Sequence, residues 1–146
     1  MKVDFKNAAF RHYRDGELLY QNQRWANADQ LYGLSAECIL KSIIVALDPN
    51  SVDIIKGDFT NTKHKKHFDN ENSSKDLWNY FSINFSGRLA QRNANFPTNN
   101  GFNNWDIFQR YVQDQCIDEQ RTENHRVATQ TLQELFDNLF SANIIQ

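Results

Sequence analysis

An arginine and a histidine stand four residues apart near the end of the chain, at Arg121 and His125. This spacing places both side chains on one face of a helix. An imidazole that titrates near neutral pH, beside a fixed guanidinium, combines a general acid or base with a phosphate clamp. That chemistry suits cleavage of RNA through its 2′-hydroxyl without a metal. The spacing alone favours a structural role, in which the pair satisfies backbone carbonyls or an acidic neighbour such as Glu37.

A basic segment just before the middle of the chain forms a second group. Its members are Lys63, His64, Lys65, Lys66 and His67. Local positive charge on a loop could hold phosphates. A solvated loop is the commoner explanation, since only Phe68 offers a neighbouring aromatic ring. Metal binding by the two histidines is less expected, because no cysteine accompanies them and Asp69 alone does not complete a ligand set.

Three arginines, Arg88, Arg92 and Arg110, flank an asparagine-rich stretch at 93–104. They could reach inward to pair with acids or outward to meet an anion, and nothing in the sequence separates these alternatives. Glycine-rich phosphate loops, a nucleophile elbow and zinc-ligand spacings are absent from the sequence. We therefore predict no metal and no cofactor.

Composition predicts one helical domain over residues 1–146. The chain is 40% hydrophobic, and its 16 Lys and Arg against 18 Asp and Glu give a net charge of -2. This balance argues against a surface wholly devoted to nucleic acid. Five glycines and two prolines are too few for turn-rich β architectures.

The two cysteines and the lengths of the apolar stretches predict a cytoplasmic protein. Cys38 and Cys116 form no Cys-x-x-Cys pair, so we expect reduced thiols. No long apolar stretch follows the first lysine, so no secretion signal is expected. The most apolar run, Cys38 to Leu47, contains Lys41 and is about half the length a membrane span needs.

Apolar and small residues at steps of three to four predict two helices in the first third, from Phe5 to Tyr20 and from Trp25 to Leu47. Pro49 should end the second helix at Leu47 or Asp48. Because few residues separate them, the helices should form an antiparallel hairpin. Three small residues should let the partner helix come close: Ala28, Gly33 and Ala36.

The rest of the chain predicts two further helices joined by loops. Residues 49–75 are predicted to form a loop with a short helical turn around Val52 to Ile55. Ser73 or Ser74 should cap a third helix over Leu77 to Leu89. After the asparagine-rich loop, a short turn should pack Trp105, Phe108 and Tyr111. The last helix should start at Asp118 or Glu119. The apolar residues of this helix, Ala128, Leu132, Leu135 and Leu139, share one face. The same spacing, continued toward the N-terminus, places His125 and Arg121 on that buried face. These elements predict an all-α fold of four or five helices.

The stretch from Trp25 to Lys41, with Ser35-Ala36-Glu37-Cys38-Ile39-Leu40-Lys41 at its centre, resembles the second helix of HEPN domains. This is the higher-eukaryote and prokaryote nucleotide-binding family. His67 ahead of Leu77-Trp78 and the pair Arg110-Tyr111 ahead of the last helix are also similar to that family. The resemblance covers roughly residues 5–140.

The resemblance implies a helical bundle of HEPN type, commonly a dimer. Active members of the family cut RNA without a metal, using an arginine and a histidine with four to six residues between them, brought together in two copies by dimerisation. Only three residues separate Arg121 from His125. Many HEPN-like proteins lack the signature and act as binding or assembly modules beside a nucleotidyltransferase-like or other defence partner.

We therefore carry two hypotheses and favour the first. It is a homodimeric HEPN-like binding and assembly module of a toxin–antitoxin or defence-type system. It would dock a protein partner, an antitoxin or a nucleotidyltransferase-like protein, and could also take RNA or nucleotide. The candidate contacts for that ligand are Lys63, Lys65, Lys66, His67, Arg88, Arg92 and Arg110. The alternative is a metal-independent ribonuclease toxin with Arg121 and His125 catalytic across the dimer interface. A dry His125 bonded to a backbone carbonyl would count against the alternative.

Overall fold

The chain folds as helices connected by irregular segments. A computed structural model describes residues 1–141, which contain the helices α1 (Phe5–Gln21), α2 (Trp25–Leu47), α3 (Leu77–Ala90) and α4 (Glu119–Ser141). Short 3₁₀ turns lie between them, and no β-strand forms in this part of the chain, only two isolated bridges. The prediction of an all-α fold of four or five helices is confirmed, with four α-helices among the described residues.

The first two helices form the predicted antiparallel hairpin. The Asp4 side chain caps α1 by accepting the Asn7 N–H at 2.9 Å. The Ser35 hydroxyl donates to the Ala9 carbonyl at 2.8 Å across the hairpin. A Cβ added at Gly16 would meet the ring of a buried tyrosine at 3.0 Å, so glycine permits the close approach of α1 to α2.

A polar cluster fastens α4 to this hairpin. The Arg126 guanidinium donates to both carboxylate oxygens of Glu17, at 2.7 and 3.0 Å, and the Tyr32 hydroxyl donates to Glu17 Oε1 at 2.7 Å. Partial burial raises the pKa of Glu17, but these hydrogen bonds outweigh it, so the pKa lies below its ordinary value. Burial, together with this carboxylate, raises the pKa of Tyr32.

Helix α2 runs through the core, with Ile39, Leu40, Ile43 and Ile44 at most 1% exposed. Among the described helices it alone is long and apolar enough to span a bilayer. Of its most apolar window, 67% is buried within the protein. The apolar character of α2 is therefore that of a core helix.

The segment between α2 and α3 differs from the predicted loop. A helical turn lies close to the predicted position around Val52 to Ile55, because the Gly57 N–H donates to the Asp53 carbonyl at 2.7 Å. A 3₁₀ turn that was not predicted precedes it at Pro49–Ser51. Val52 pairs with Phe59 in an isolated bridge. The Asp53 carboxylate accepts the N–H groups of Ile55 and Lys56 at 2.9 and 2.7 Å, which closes a tight turn between the paired residues.

This segment also supplies core residues, although its polar composition indicated a solvated loop. Phe59, His64 and Phe68 are buried. The His64 Nδ1 atom lies 2.9 Å from the Tyr80 hydroxyl, and burial lowers the pKa of His64. Helix α3 is capped by Asp76, whose carboxylate accepts the Asn79 N–H at 2.9 Å. The predicted cap at Ser73 or Ser74 is therefore wrong.

The asparagine-rich connection from α3 to α4 is held to the core by aromatic side chains. Phe96, Phe102 and Trp105 are buried. The Trp105 indole lies over Gly33, where a Cβ would come within 1.9 Å of the ring. Its Nε1–H donates to the Asp29 carbonyl at 2.9 Å. Gly33 therefore makes room for an indole and not for a neighbouring helix.

The turn after Trp105 contradicts the prediction that Phe108 and Tyr111 pack inward. They are 67% and 74% exposed. Residues Ile107–Tyr111 form a 3₁₀ turn, in which side chains three apart share a face. Gln109 occupies the inward face, so the two aromatic rings point outward together. Helix α4 then begins as predicted, with the Asp118 carboxylate accepting the Arg121 N–H at 2.8 Å.

Candidate functional site

Helix α4 places His125 inside the protein, where it is 0% exposed. Its Nδ1 lies 2.6 Å from Asp29 Oδ1 on α2, and its Nε2 lies 2.7 Å from the Asn104 amide oxygen. Because a carboxylate only accepts hydrogen bonds, Nδ1 carries a proton. The other Asp29 oxygen accepts a hydrogen bond from the buried Gln109 side chain. We call these four residues the Asp29 cluster.

Arg121 belongs to the same region but is engaged differently. Its guanidinium donates to the backbone carbonyl of Asn104, while its Nε is buried with no partner among the described residues. Arg121 and His125 thus both hold residue 104 against α4. Within this chain the two ring nitrogens of His125 are occupied, and its side chain is fully buried.

A second candidate site is a cleft of about 300 Å³ on the surface. Segment 62–75 provides the residues Thr62, Lys65, Lys66, His67, Phe68, Asp69 and Lys75, and the turn after Trp105 provides Asp106, Ile107 and Phe108. We call it the basic cleft. The Gln30 side chain lies 3.5 Å from the Ile107 carbonyl, which joins that turn to α2.

Hydrogen bonds and an ion pair fix the cationic side chains of this cleft. Lys65 Nζ lies 2.6 Å from Asp58, and hydrogen bonding to Lys65 lowers the pKa of that carboxyl. Lys66 Nζ donates to the Ser74 carbonyl at 2.9 Å and lies 5.2 Å from the ring centre of Tyr80. These contacts hold two ammonium groups at the surface beside the cleft.

His67 differs from the buried histidines. Its side chain is 53% exposed, while its Nδ1 lies 2.8 Å from Oε2 of Glu37, which is 2% exposed. The other oxygen of Glu37 accepts the Phe68 N–H at 2.8 Å, and Lys41 Nζ lies 4.0 Å from the carboxylate. Glu37 thus anchors the start of the cleft to α2, although it is not the acidic partner of His125 that the sequence suggested.

The remaining predicted ligand residues do not converge on one place. Arg88 donates to the Leu47 carbonyl at 2.7 Å, and Arg92 donates to the Arg88 carbonyl at 3.0 Å. Arg92 also lines a different cleft, of about 860 Å³, against α4. Arg110 lies with its guanidinium 4.8 Å from the ring centre of Tyr111, and Lys63 is exposed outside the basic cleft.

The described residues contain no group of three or more His, Cys, Asp or Glu side chains that could hold a metal ion. The two histidines of the basic segment are directed to different partners, a tyrosine and a glutamate. Both cysteines are free thiols.

Several residues of the two sites were not predicted from the sequence. Asp29 precedes Gly33 and Glu37 at steps of four, so an acidic residue on the small-residue stripe of α2 was the available signal for a buried polar partner. Asn104 and Gln109 gave no signal, since they lie in a loop and in a short 3₁₀ turn, where hydrophobic periodicity is not informative. Lys75 lies eight residues beyond His67 in sequence, and the fold of the intervening loop places both residues in the lining of the basic cleft.

Comparison with models of known protein families, with curated proteins and with solved structures found no match to this chain. The chemistry of the two sites therefore rests on their own geometry.

Proposed function

We propose that the protein is a HEPN-like binding module that takes single-stranded RNA in the basic cleft. The observation that carries the proposal is the convergence of Lys65, Lys66, His67 and Lys75 on one cleft with the exposed ring of Phe108. Positive groups that track a phosphate backbone, combined with an aromatic ring on which a base stacks, are what single-stranded nucleic acid requires.

The charges of the cleft support an anionic ligand. The two carboxylates in its lining, Asp69 and Asp106, both accept backbone N–H groups at 2.7–3.0 Å, so they serve the local turns. Three lysines line the same cleft, and one of them, Lys65, is paired with Asp58 just outside the lining. The net charge of the whole chain is -2, so this positive group is a local feature and not a property of the entire surface.

The aromatic side of the cleft favours a single strand over isolated phosphate. Phe108 and Tyr111 are exposed on one face of the 3₁₀ turn, with the Arg110 guanidinium against the second ring. Stacking of a base on such a ring contributes roughly 1–3 kcal/mol. The exposed Phe108 ring beside the lysines of the cleft would thus hold one base of the strand.

The Asp29 cluster supports a binding role over catalysis at Arg121 and His125. A general base needs a nitrogen within reach of its substrate. Both nitrogens of His125 are bonded inside the chain, and its side chain is fully buried. The proposal includes the homodimer, the protein partner and the cytoplasmic setting that the HEPN resemblance and the sequence imply.

The test is fluorescence anisotropy with a labelled single-stranded RNA of about 12 nucleotides, within the usual range of site sizes. Phe108→Ala should weaken binding roughly 5- to 150-fold, the equivalent of one lost stacking contact. Combined Lys65→Ala, Lys66→Ala and Lys75→Ala should lower the slope of log Kd against log salt by about two, at about 0.7 per contact on a single strand.

Lys56→Ala, an exposed lysine outside the cleft, is the matched control and should bind as the unaltered protein does. Lys63→Ala then reports whether the strand extends beyond the cleft. Equal affinity of all variants, or no binding by the unaltered protein at low salt, would overturn the proposal.

A further inference from the structure

We propose that the protein attaches reversibly to anionic lipid surfaces through two isoleucines, Ile54 and Ile55, at the tip of the turn after α2. Their side chains are 88% and 79% exposed. The attachment is peripheral and goes beyond RNA binding, because it uses a surface outside the basic cleft.

Hydrogen bonds fix the backbone of this turn. The Asp53 carboxylate accepts the N–H groups of Ile55 and Lys56 at 2.9 and 2.7 Å, and the Gly57 N–H donates to the Asp53 carbonyl at 2.7 Å. Gly57 has a φ of 70°, a conformation that favours glycine. Because the backbone is already ordered, burial of the two isoleucine side chains in an apolar medium costs little further chain entropy.

The segment before α1 widens the tip of the turn into a face. The Val3 N–H donates to the Lys56 carbonyl at 2.7 Å, and Val3 is 37% exposed. The Lys2 side chain lies against the turn, since a Cβ added at Gly57 would lie 3.3 Å from its Cγ atom. Contiguous apolar groups with a polar rim mark interaction sites, in contrast to apolar residues scattered singly. We call this surface the isoleucine face; its members are Lys2, Val3, Ile54, Ile55 and Lys56.

The charges around the isoleucine face favour an anionic partner. Lys2 and Lys56 belong to no ion pair within residues 1–141. The nearby carboxylates are engaged by the protein itself. Those of Asp4 and Asp53 accept backbone N–H groups, and that of Asp58 lies 2.6 Å from a lysine of the basic cleft. Lysines held near an anionic lipid surface strengthen binding by about fivefold each.

An apolar cleft of about 450 Å³ adjoins the isoleucine face. It lies between the start of α1 and the end of α2, and Val3 and Gly57 belong to its lining. Lys2 and Lys6 lie in the same lining. The larger apolar residues of the lining are Phe5, Val45, Val52 and Phe140. This surface therefore offers acyl chains an apolar wall beside ammonium groups that suit lipid phosphates.

The shape of the isoleucine face favours a bilayer over a folded protein partner. Two side chains at a convex tip present far less than the roughly 800 Å² that each partner buries in a stable protein interface. A bilayer receives such a tip without a matching pocket. Even a single acyl anchor binds membranes only marginally, so the attachment should be reversible and should need the lysines as well as the isoleucines.

The experiment is co-sedimentation with vesicles of phosphatidylcholine and phosphatidylserine in equal parts, in the absence of RNA. The combined change Ile54→Ser and Ile55→Ser should weaken binding by about tenfold or more, because the apolar side chains that enter the acyl region are lost. Ile83→Ser is the matched control. It alters an isoleucine on α3 that is 73% exposed and lies outside the isoleucine face, and it should bind as the unaltered protein does.

A second pair of variants tests the charges. Lys2→Ala combined with Lys56→Ala should weaken binding to these vesicles by about fivefold per lysine and should leave RNA binding unchanged. Vesicles of phosphatidylcholine alone should bind the unaltered protein more weakly, and their binding should not respond to these two substitutions.

Insertion of the tip is measured with a fluorescent side chain. The indole of Ile55→Trp should emit at shorter wavelength when phosphatidylserine vesicles are added, because it leaves water for the acyl region. Ile83→Trp should show no such shift. Circular dichroism of each variant checks that the helices are intact, as expected for changes at exposed positions.

Three results would overturn the inference. The first is no vesicle binding by the unaltered protein. The second is equal binding of the double serine variant and its control, or an unshifted Ile55→Trp emission on vesicles that bind the protein; the lysines of the basic cleft would then hold the headgroups. The third is a dimer, seen by light scattering, that the double serine variant dissociates without vesicle binding, which would identify a second copy as the occupant. RNA binding is measured separately, so its failure leaves this inference standing.

Discussion

Removal of the Asp29 charge should destabilise the protein more than any surface change. The substitution Asp29→Asn keeps the volume of the side chain but replaces an oxygen acceptor with an amide donor. The 0% exposed carboxylate bonds His125 at 2.6 Å and the buried Gln109 side chain. Breaking one partner of a buried charged pair costs roughly 3–5 kcal/mol. At about 2–4 °C per kcal/mol for a chain of this size, the melting temperature should fall by about 6–20 °C.

The shift in melting temperature is measured by thermal unfolding, monitored by circular dichroism. Asp15→Asn, which makes the same chemical change at an exposed position of α1, is the control and should stay within about 0.5 kcal/mol. The double variant with His125→Gln should lose less than the sum of the two single losses, because the second change removes a partner that is already unpaired. A shift of Asp29→Asn no larger than that of the control, or additive losses, would refute the pairing.

Three further predictions concern packing, pH and thiol reactivity. Gly33→Ala should destabilise by about 1–3 kcal/mol, since its Cβ collides with the buried indole, while Gly87→Ala, with open space around its Cβ, should gain about 0.5–1 kcal/mol in chemical denaturation. The stabilisation lost in Glu17→Gln should be fully present above the unfolded pKa near 4.5 and should vanish as pH falls through the lowered folded pKa. Cys116 should react with a thiol reagent at once, whereas burial raises the pKa of Cys38 to about 11 and should slow it.

Each of these has a contradicting result. Equal stabilities of the two alanine variants would mean that the indole moves aside without cost. A difference between Glu17→Gln and the unaltered protein that persists unchanged at pH 3 would mean that the carboxylate is not the titrating group. Two thiols with the same rate in the folded protein would place Cys38 at the surface.

The helices were predictable because their signals are local. The three-to-four periodicity, Pro49 and the acidic residues before α4 predicted the ends of α2 and the start of α4 to within a residue. The connections were not predictable in this way. Polar composition hid the core role of Phe68, and an aromatic run did not reveal that Gln109 would turn inward and leave Phe108 exposed.

The candidate sites were predictable only in part. The sequence singled out His67 as a ligand contact and His125 as a catalytic candidate, but it could not show which ring would be buried, since their partners lie 30 and 96 residues away. Glu37 was visible as a motif residue, yet its contact with His67 depends on the path of residues 49–76. Contacts between residues so far apart in the sequence are set by tertiary packing, which hydrophobic periodicity does not reveal.

The position of Trp105 has a consequence for the order in which the chain folds. Its hydrogen bond to the Asp29 carbonyl spans 76 residues, whereas the Tyr32 bond to Glu17 spans 15. Closing the longer loop costs more chain entropy, so the α1–α2 hairpin should form early and the indole should dock late. Mutations around Gly33 and Trp105 should therefore accelerate unfolding while leaving the refolding rate nearly unchanged. The lifetime of the native state would then be governed by the connection between α3 and α4, and not by the helices.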